Sequence, residues 1–589
     1  MYSNKPQQLY AEHWFFGPIL RNKKLYLKVM LASIFINVFA LVSAFYIMIV
    51  YDRVIPNNAI ESLIALTIGV LTIVIFDFTM KVLRGLYTDK ASTLVDIEVS
   101  KNLFERISRN EQLINQQTGA TASVVKEFDS LKDFIASASF VAFVDLPFII
   151  LFLFVLYGIG GPIAAVPAVI VVVVIVVGLL IQPVVRKLTF NAALDGQSKQ
   201  SVIVEVLSGM ETLKTLRGIG VLRDRWIESV GRQGVTSTKS KFWSQLTSNF
   251  SQSGQQLSQV GIIVYGVVLI SEGGLTMGSL IACVILSGRT LAPLGQVSNL
   301  LGRFNQALTA YTNFGQLMQQ PVAEMSRSHQ VRLQKVEGGV TLTNVSLTYP
   351  EQKEATLKQL NLKVLPGEKI AIVGKIGSGK TSLLRLIAGL YEPTEGSIKI
   401  DQSDITHLYP DDLRRHVGVV MQTPLLFSGT LKENLLMGNP DATDEQLIQA
   451  TKIAGVDEII SNLPNGYETV LAERGQQLSG GQRQAICIAR ALIGNPKIII
   501  MDEPSSAMDT GSEQKLLADL KPILADKTLI LITHRGTLLN LVDRIVVLDS
   551  GRIITDGPKD KVLQAITQQA SKVKSTQLTP SAEGKRNDR

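Results

Sequence analysis

Only two cysteines occur in 589 residues, Cys283 and Cys487. One lies in an apolar run and the other in a segment with the spacing of a soluble helix, so neither a disulfide framework nor a zinc site follows. Charge is also scarce. Asp, Glu, Lys and Arg make up 18% of the chain and mean hydropathy is +0.24, which excludes a soluble globule throughout. No cleavable signal peptide is evident, because polar, mixed residues lead into the basic group Arg21, Lys23 and Lys24. No aromatic-basic module is present either. The net charge of +8 is therefore read as a positive-inside excess with a basic tail, and no nucleic-acid partner is expected.

What is abundant is apolar sequence, concentrated in the first half. Residues 29–51 carry no charge, and about 20 apolar residues suffice to cross a bilayer. A second span runs over 60–82, with Asp77 towards its far end. The uncharged run between Asp145 and Arg186 would extend roughly 60 Å as one helix, so Gly158-Ile-Gly-Gly-Pro162 is read as a turn between two spans. A fifth span lies near 258–270 and a sixth over 277–300, interrupted by Arg289 and Pro293. The loops at 81–132 and 186–241 are rich in Lys and Arg, which places both, and both termini, on the cytoplasmic side. Their helical periodicity predicts helices that continue beyond the membrane. Asp77, Asp145 and Arg289 are ionisable groups in or near spans, either structurally paired or lining a transport path.

The second half carries nucleotide chemistry. Gly374-Lys-Ile-Gly-Ser-Gly-Lys380-Thr381 fits G-x-x-x-x-G-K-[ST] and lies between an apolar strand and a helix. Gly374, Gly377, Ser378 and Gly379 turn backbone N–H groups onto phosphates; Lys380 reaches the β- and γ-phosphates, and Thr381 suits Mg²⁺. In Lys497-Ile-Ile-Ile-Met-Asp502-Glu503, a buried strand ends in a metal-binding aspartate beside a carboxylate placed to take a proton from water. Ser479, Gly480, Gly481 and Gln482 open a further helix and form another anion site. Gln422 follows an apolar strand and suits Mg²⁺ or water. Tyr349 precedes the glycine loop and is suited to stacking on adenine, and His534 ends one more strand.

At these residues the chain resembles an ATP-binding cassette (ABC) exporter. The resemblance implies an α-helical membrane domain of six spans followed by an α/β P-loop ATPase. It makes residues 374–382, Ser382 included, the Walker A loop, and Tyr349 the adenine-stacking aromatic. Gln422 becomes the Q-loop residue, 479–482 part of the signature, and Asp502 the Walker B aspartate. Glu503 is then the catalytic base, 506–509 the D-loop, with Met508 where Leu is common, and His534 the switch histidine. With one copy of each motif, the resemblance implies a homodimer with two composite ATP sites, ATP and Mg²⁺ as ligands, and coupling turns near 118–124 and 207–216. The membrane segments 50–57, 145–148, 205–214 and 282–292 are similar to bacterial type I secretion exporters of large RTX or adhesin-like proteins. That likeness implies an inner-membrane location, a periplasmic adaptor, an outer-membrane channel and a secreted protein substrate. A lipid or multidrug exporter with the same engine is the alternative. Only a short polar segment precedes the first span and no cysteine precedes Cys283, so no cysteine peptidase is expected. The expected organisation is 1–24 N-terminal segment, 25–318 transmembrane domain, 319–336 linker, 337–568 ATPase and 569–589 disordered tail.

Overall fold

The computed structural model describes residues 13–110, 125–126, 128–129, 131–132, 134, 144–319, 331–333, 335–349 and 352–577, with the side chains of 295–301 and 569–577 outside that description. The chain divides into two compact units, Met1–Val322 and Ala323–Arg589. The turn expected at 118–124 lies outside the described residues.

The first unit is helical: α1 Phe16–Arg21, α2 Lys23–Ile49, α3 Ile60–Arg109, α4 Phe148–Gly160, α5 Ala165–Ser208, α6 Met210–Thr215, α7 Ile219–Ser271 and α8 Met277–Gln319. Five stretches among the described residues are long and apolar enough to cross a membrane, and one of them, Phe148–Ser208, holds a chain reversal. Gly161 makes that reversal at φ 56°, a backbone region open to glycine. Ile149 of α4 and Val171 and Val174 of α5 share a cluster with Leu291 and Leu294, so the two arms lie alongside the same level of α8. Among the described residues the membrane arms are thus six: α2, α3, α4, α5, α7 and α8. Small residues let them approach. A Cβ on Gly266 of α7 would lie 2.3 Å from Leu280, and one on Gly261 would lie 2.9 Å from Val166. Between α2 and α3, Asp52 accepts from Gly278 N at 2.8 Å and from Thr276 Oγ1 at 2.6 Å, placing a carboxylate at the start of α8. Beyond the apolar stretches, α5 reaches Ser208 and the short α6 occupies the turn expected near 207–216.

Two of the ionisable groups near the spans are paired. Asp77 lies 2.6 Å from Lys81, one turn along α3. Asp145 accepts from Arg84 at 3.1 Å and from Asn37 at 3.0 Å, joining α2, α3 and the entry to α4.

The second unit holds twelve strands among its described residues: β1 Val340–Leu347, β2 Leu357–Val364, β3 Lys369–Val373, β4 Glu395–Ile400, β5 Ser403–Asp404, β6 Val417–Val420, β7 Gly429–Thr430, β8 Val470–Leu471, β9 Ile498–Asp502, β10 Thr528–Ile532, β11 Arg544–Asp549 and β12 Arg552–Pro558. Alternation along β2 gives one buried face, β1 alternates only over 340–343, and they form an antiparallel sheet β2-β1-β4-β5. The main sheet runs β12-β11-β3-β10-β9-β6. Its strands β11, β3, β10, β9 and β6 are parallel, and β9 and β10 are buried along their whole length, as their unbroken apolar runs require. Helices follow as α9 Lys380–Ile387, α10 Pro410–His416, α11 Leu431–Leu436, α12 Asp444–Ile453, α13 Val456–Ser461, α14 Gly480–Leu492, α15 Thr510–Ile523 and α16 Lys559–Gln577. One core packs the antiparallel sheet and α9 against the main sheet; the other packs α11 to α15 against it. The last helix runs to Gln577, into the stretch expected to be disordered from 569 on. There Gln, Ala and Lys keep helix-forming sequence that polarity alone does not reveal.

Candidate nucleotide site

The strand order explains how distant motifs meet. Neighbouring parallel strands β3, β10, β9 and β6 end at one edge, and the residues at or just beyond their ends are the glycine loop, His534, Asp502–Glu503 and Gln422. Ligands of open α/β sheets bind outside these carboxyl ends.

The glycine loop is closely fitted. A Cβ on Gly374 would lie 2.0 Å from the Leu548 carbonyl oxygen, and Gly377 and Gly379 have φ of 81° and 100°. Lys380 starts α9, is nearly buried, and donates to the carbonyls of Gly374 at 2.8 Å and Lys375 at 2.9 Å. Burial holds its ammonium below the usual lysine range, while Asp502 and Glu503 push the other way. The side-chain oxygen of Ser378 is buried under the loop without a partner among the described residues, a donor-acceptor that fits a bound phosphate. Thr381 Oγ1 donates to Asp502 Oδ2 at 2.9 Å. That pair of hard oxygens fits a Mg²⁺ ion with phosphate oxygens completing its shell. Tyr349 reaches the same helix, donating to Ser382 Oγ at 3.0 Å, with its ring edge-on to Tyr391 at 5.3 Å.

Asp502 is 2% exposed, and burial holds its carboxyl above the ordinary aspartate range against the Thr381 hydrogen bond and the Lys380 charge. Glu503 has φ 49°, a left-handed conformation that is strained for glutamate. Its backbone N–H donates to Ile532 O at 2.9 Å and its Oε1 accepts from His534 N at 2.8 Å. The imidazole Nε2 of His534 is 3.9 Å from the same oxygen. Four expected residues, Lys380, Thr381, Asp502 and Glu503, are therefore linked by contact or charge, with His534 adjoining.

The signature residues stand apart from this group. Ser479 caps α14 reciprocally with Gln482, accepting from Gln482 N at 3.2 Å while Gln482 Oε1 accepts from Ser479 N at 2.9 Å. Among the described residues no hydrogen bond joins 479–482 to 374–382. Gln422 is exposed beyond β6. Sequence reasoning missed three residues that support the site. Gln484, fully buried on α14, donates to Glu503 O at 2.7 Å and to Ser506 Oγ at 3.3 Å, and accepts from Ala507 N at 3.0 Å. Arg535 donates to Ser506 O at 3.2 Å and pairs with buried Glu513 of α15. The missed signal was a polar residue in an apolar row, Gln484–Ile488–Leu492.

The comparisons agree with this architecture. Residues 26–294 match the ABC transporter transmembrane region, and residues 357–506 match the ABC transporter family. The leukotoxin translocation ATP-binding protein LktB of Pasteurella haemolytica-like sp. (strain 5943B) is 30% identical over 557 residues, covering 94% of this chain and 78% of that protein. LktB of Bibersteinia trehalosi matches with the same identity and coverage. A solved bacterial Atm1-family ABC exporter with ATP bound shares the fold, with a TM-score of 0.82 over 95% of this chain and 99% of that one at 23% identity. The chain belongs to the ABC transporters, joining an exporter-type transmembrane unit to an ATPase that couples ATP hydrolysis to transport.

Proposed function

We propose that this protein is the inner-membrane ABC transporter of a type I secretion system, exporting a large RTX or adhesin-like polypeptide. The observation that carries this reading is similarity to leukotoxin translocation proteins along 94% of the chain, through both units. The ATPase unit lies in the cytoplasm in this reading, as the basic loops of the first unit indicate, and a periplasmic adaptor and an outer-membrane channel complete the route.

Lys380, Ser378 and the glycine loop hold the ATP phosphates, and Tyr349 stacks on the adenine. Thr381, Asp502 and Gln422 hold Mg²⁺, which supplies charge neutralisation on the phosphates. Glu503 takes the proton from the attacking water, and His534, whose backbone already fixes the carboxylate, contacts the γ-phosphate. Separation of 479–482 from 374–382 within one chain supports a homodimer in which the signature of one copy completes the site of the other.

The test compares Glu503→Gln with the parent in purified, reconstituted protein and in a secreting cell. Loss of ATP hydrolysis with retained nucleotide binding, together with loss of the secreted protein from the medium, is expected. Equal hydrolysis rates overturn the assigned base, and undiminished secretion by an inactive ATPase overturns the export role.

A further inference from the structure

Asp77, Asp145 and Arg289 line one cavity of 340 Å³ in the membrane unit, together with Asn37 of α2 and Lys81 of α3. Their charges do not balance. Asp77 is held by Lys81 at 2.6 Å, and Asp145 by Arg84 at 3.1 Å. Arg289 has no hydrogen-bond or carboxylate partner among the described residues. An unpaired guanidinium in a membrane segment is costly and calls for an anion or water.

Depth identifies the anion's source. Asp52 ties the end of α2 to the start of α8, so both helices can be measured from the same side. At about 1.5 Å per residue, Arg289 lies roughly 18 Å along α8 from Met277, and Asn37 about 18 Å along α2 from Ile49. The hydrocarbon core is about 30 Å thick, so this charge sits well inside it, away from both layers of resident lipid head groups. A group that reaches it is crossing the membrane. The wall around it mixes apolar Ile36, Phe39 and Phe152 with the charged and amide groups just named, and the cavity is sized for a few side chains.

We infer that Arg289 is a binding point for the carboxylates of a polypeptide in transit, so that the exporter favours acidic segments. This rests on the protein-export reading and specifies the cargo chemistry of that path. Asp145 and Asp77, locked to their own cations, would keep the cavity from closing on Arg289 and leave its charge for the passenger.

The test uses the full chain in phosphatidylcholine nanodiscs and two labelled peptides of equal length, one with aspartates and one with asparagines at the same positions. The parent is expected to bind the aspartate peptide roughly fivefold more tightly. Arg289→Gln should abolish that preference, Arg289→Lys should keep it, and Arg289→Glu should reverse it in favour of a lysine-substituted peptide. Equal binding of both peptides by the parent overturns this inference and leaves protein export standing. A preference that survives in Arg289→Gln also overturns it. Binding of neither peptide also overturns the inference, while secretion by cells carrying the parent decides the export reading on its own. If Arg289→Gln alters only the response to phosphatidylglycerol vesicles, the group is a lipid anchor and the inference fails.

Discussion

Gln484 and Glu503 are joined by a hydrogen bond of 2.7 Å from the Gln484 amide to the Glu503 carbonyl oxygen. The same amide group also holds Ser506 Oγ and the Ala507 N–H. A single buried side chain on the signature helix thus grips the turn that keeps Glu503 at φ 49°. In the proposed homodimer, that helix would serve one ATP site and Glu503 the other, so the Gln484 side chain would link the two through hydrogen bonds within one chain.

Gln484→Leu should leave the Ala507 N–H unpaired and the Glu503 carbonyl with only the Ser506 N–H at 3.2 Å, costing about 1–3 kcal/mol of stability. The carboxylate would also lose its aim, and kcat for ATP hydrolysis should fall by about 10- to 100-fold with little change in nucleotide affinity. Steady-state kinetics beside fluorescent-nucleotide titration separates the two effects. A parallel loss of affinity and kcat would point to general unfolding of the site instead.

Gly374→Ala should abolish nucleotide binding, because its Cβ would lie 2.0 Å from a backbone oxygen on β11 that cannot swing aside. At Gly377 the same substitution meets open space and is limited to the strain of φ 81°, about 1–2 kcal/mol. Titrating both variants with a fluorescent ATP analogue should rank Gly374→Ala as the weaker binder.

Asp502 gives the site its acid sensitivity. Burial raises its carboxyl above the ordinary aspartate range, so on acidification it protonates before an exposed aspartate does. Mg²⁺-dependent ATP binding needs the charged form and should weaken as pH falls through that raised value. The nucleotide-free fold responds with the opposite sign, since protonation relieves the buried charge and stability rises over the same window. Asp502→Asn should flatten both profiles, measured by nucleotide titration and by thermal unfolding across pH.

Arg84 and Asp145 test the membrane unit. Their side chains are 16% and 22% exposed. Arg84→Met strands Asp145 and should cost roughly 2–4 kcal/mol, less than a fully dry pair would. The double variant Arg84→Met/Asp145→Leu should recover most of that loss. Thermal shift in detergent measures it, and a double variant no better than the single would show that the pair is not the source.

Much of this was legible in the chain. The glycine loop, the Walker B run and the spans announce themselves by local spacing, and the break at Gly161 follows from an apolar run too long for one crossing. Partners distant in sequence were not legible. Nothing local says that Asp145 meets Arg84, or that Asp52 reaches Gly278, because helix packing, not spacing, decides both. Gln484 was overlooked because it lies one turn inside a helix whose opening residues hold the recognisable motif. The helix continuing to Gln577 was hidden by its polarity, which reports solvent exposure and not conformation.

Strand β10 contributes no side chain to phosphate, metal or water, yet Ile532 is paired with Ile372 on one side and with Asp502 on the other. It works as a measuring stick laid between the two halves of the machinery. A one-residue slip of its register would move its end by about 3.3 Å and turn every side chain over, carrying His534 away from Glu503 although no reacting group had changed. The register of β10 against β3 and β9 is therefore as much a part of the enzyme as the residues it sets in place.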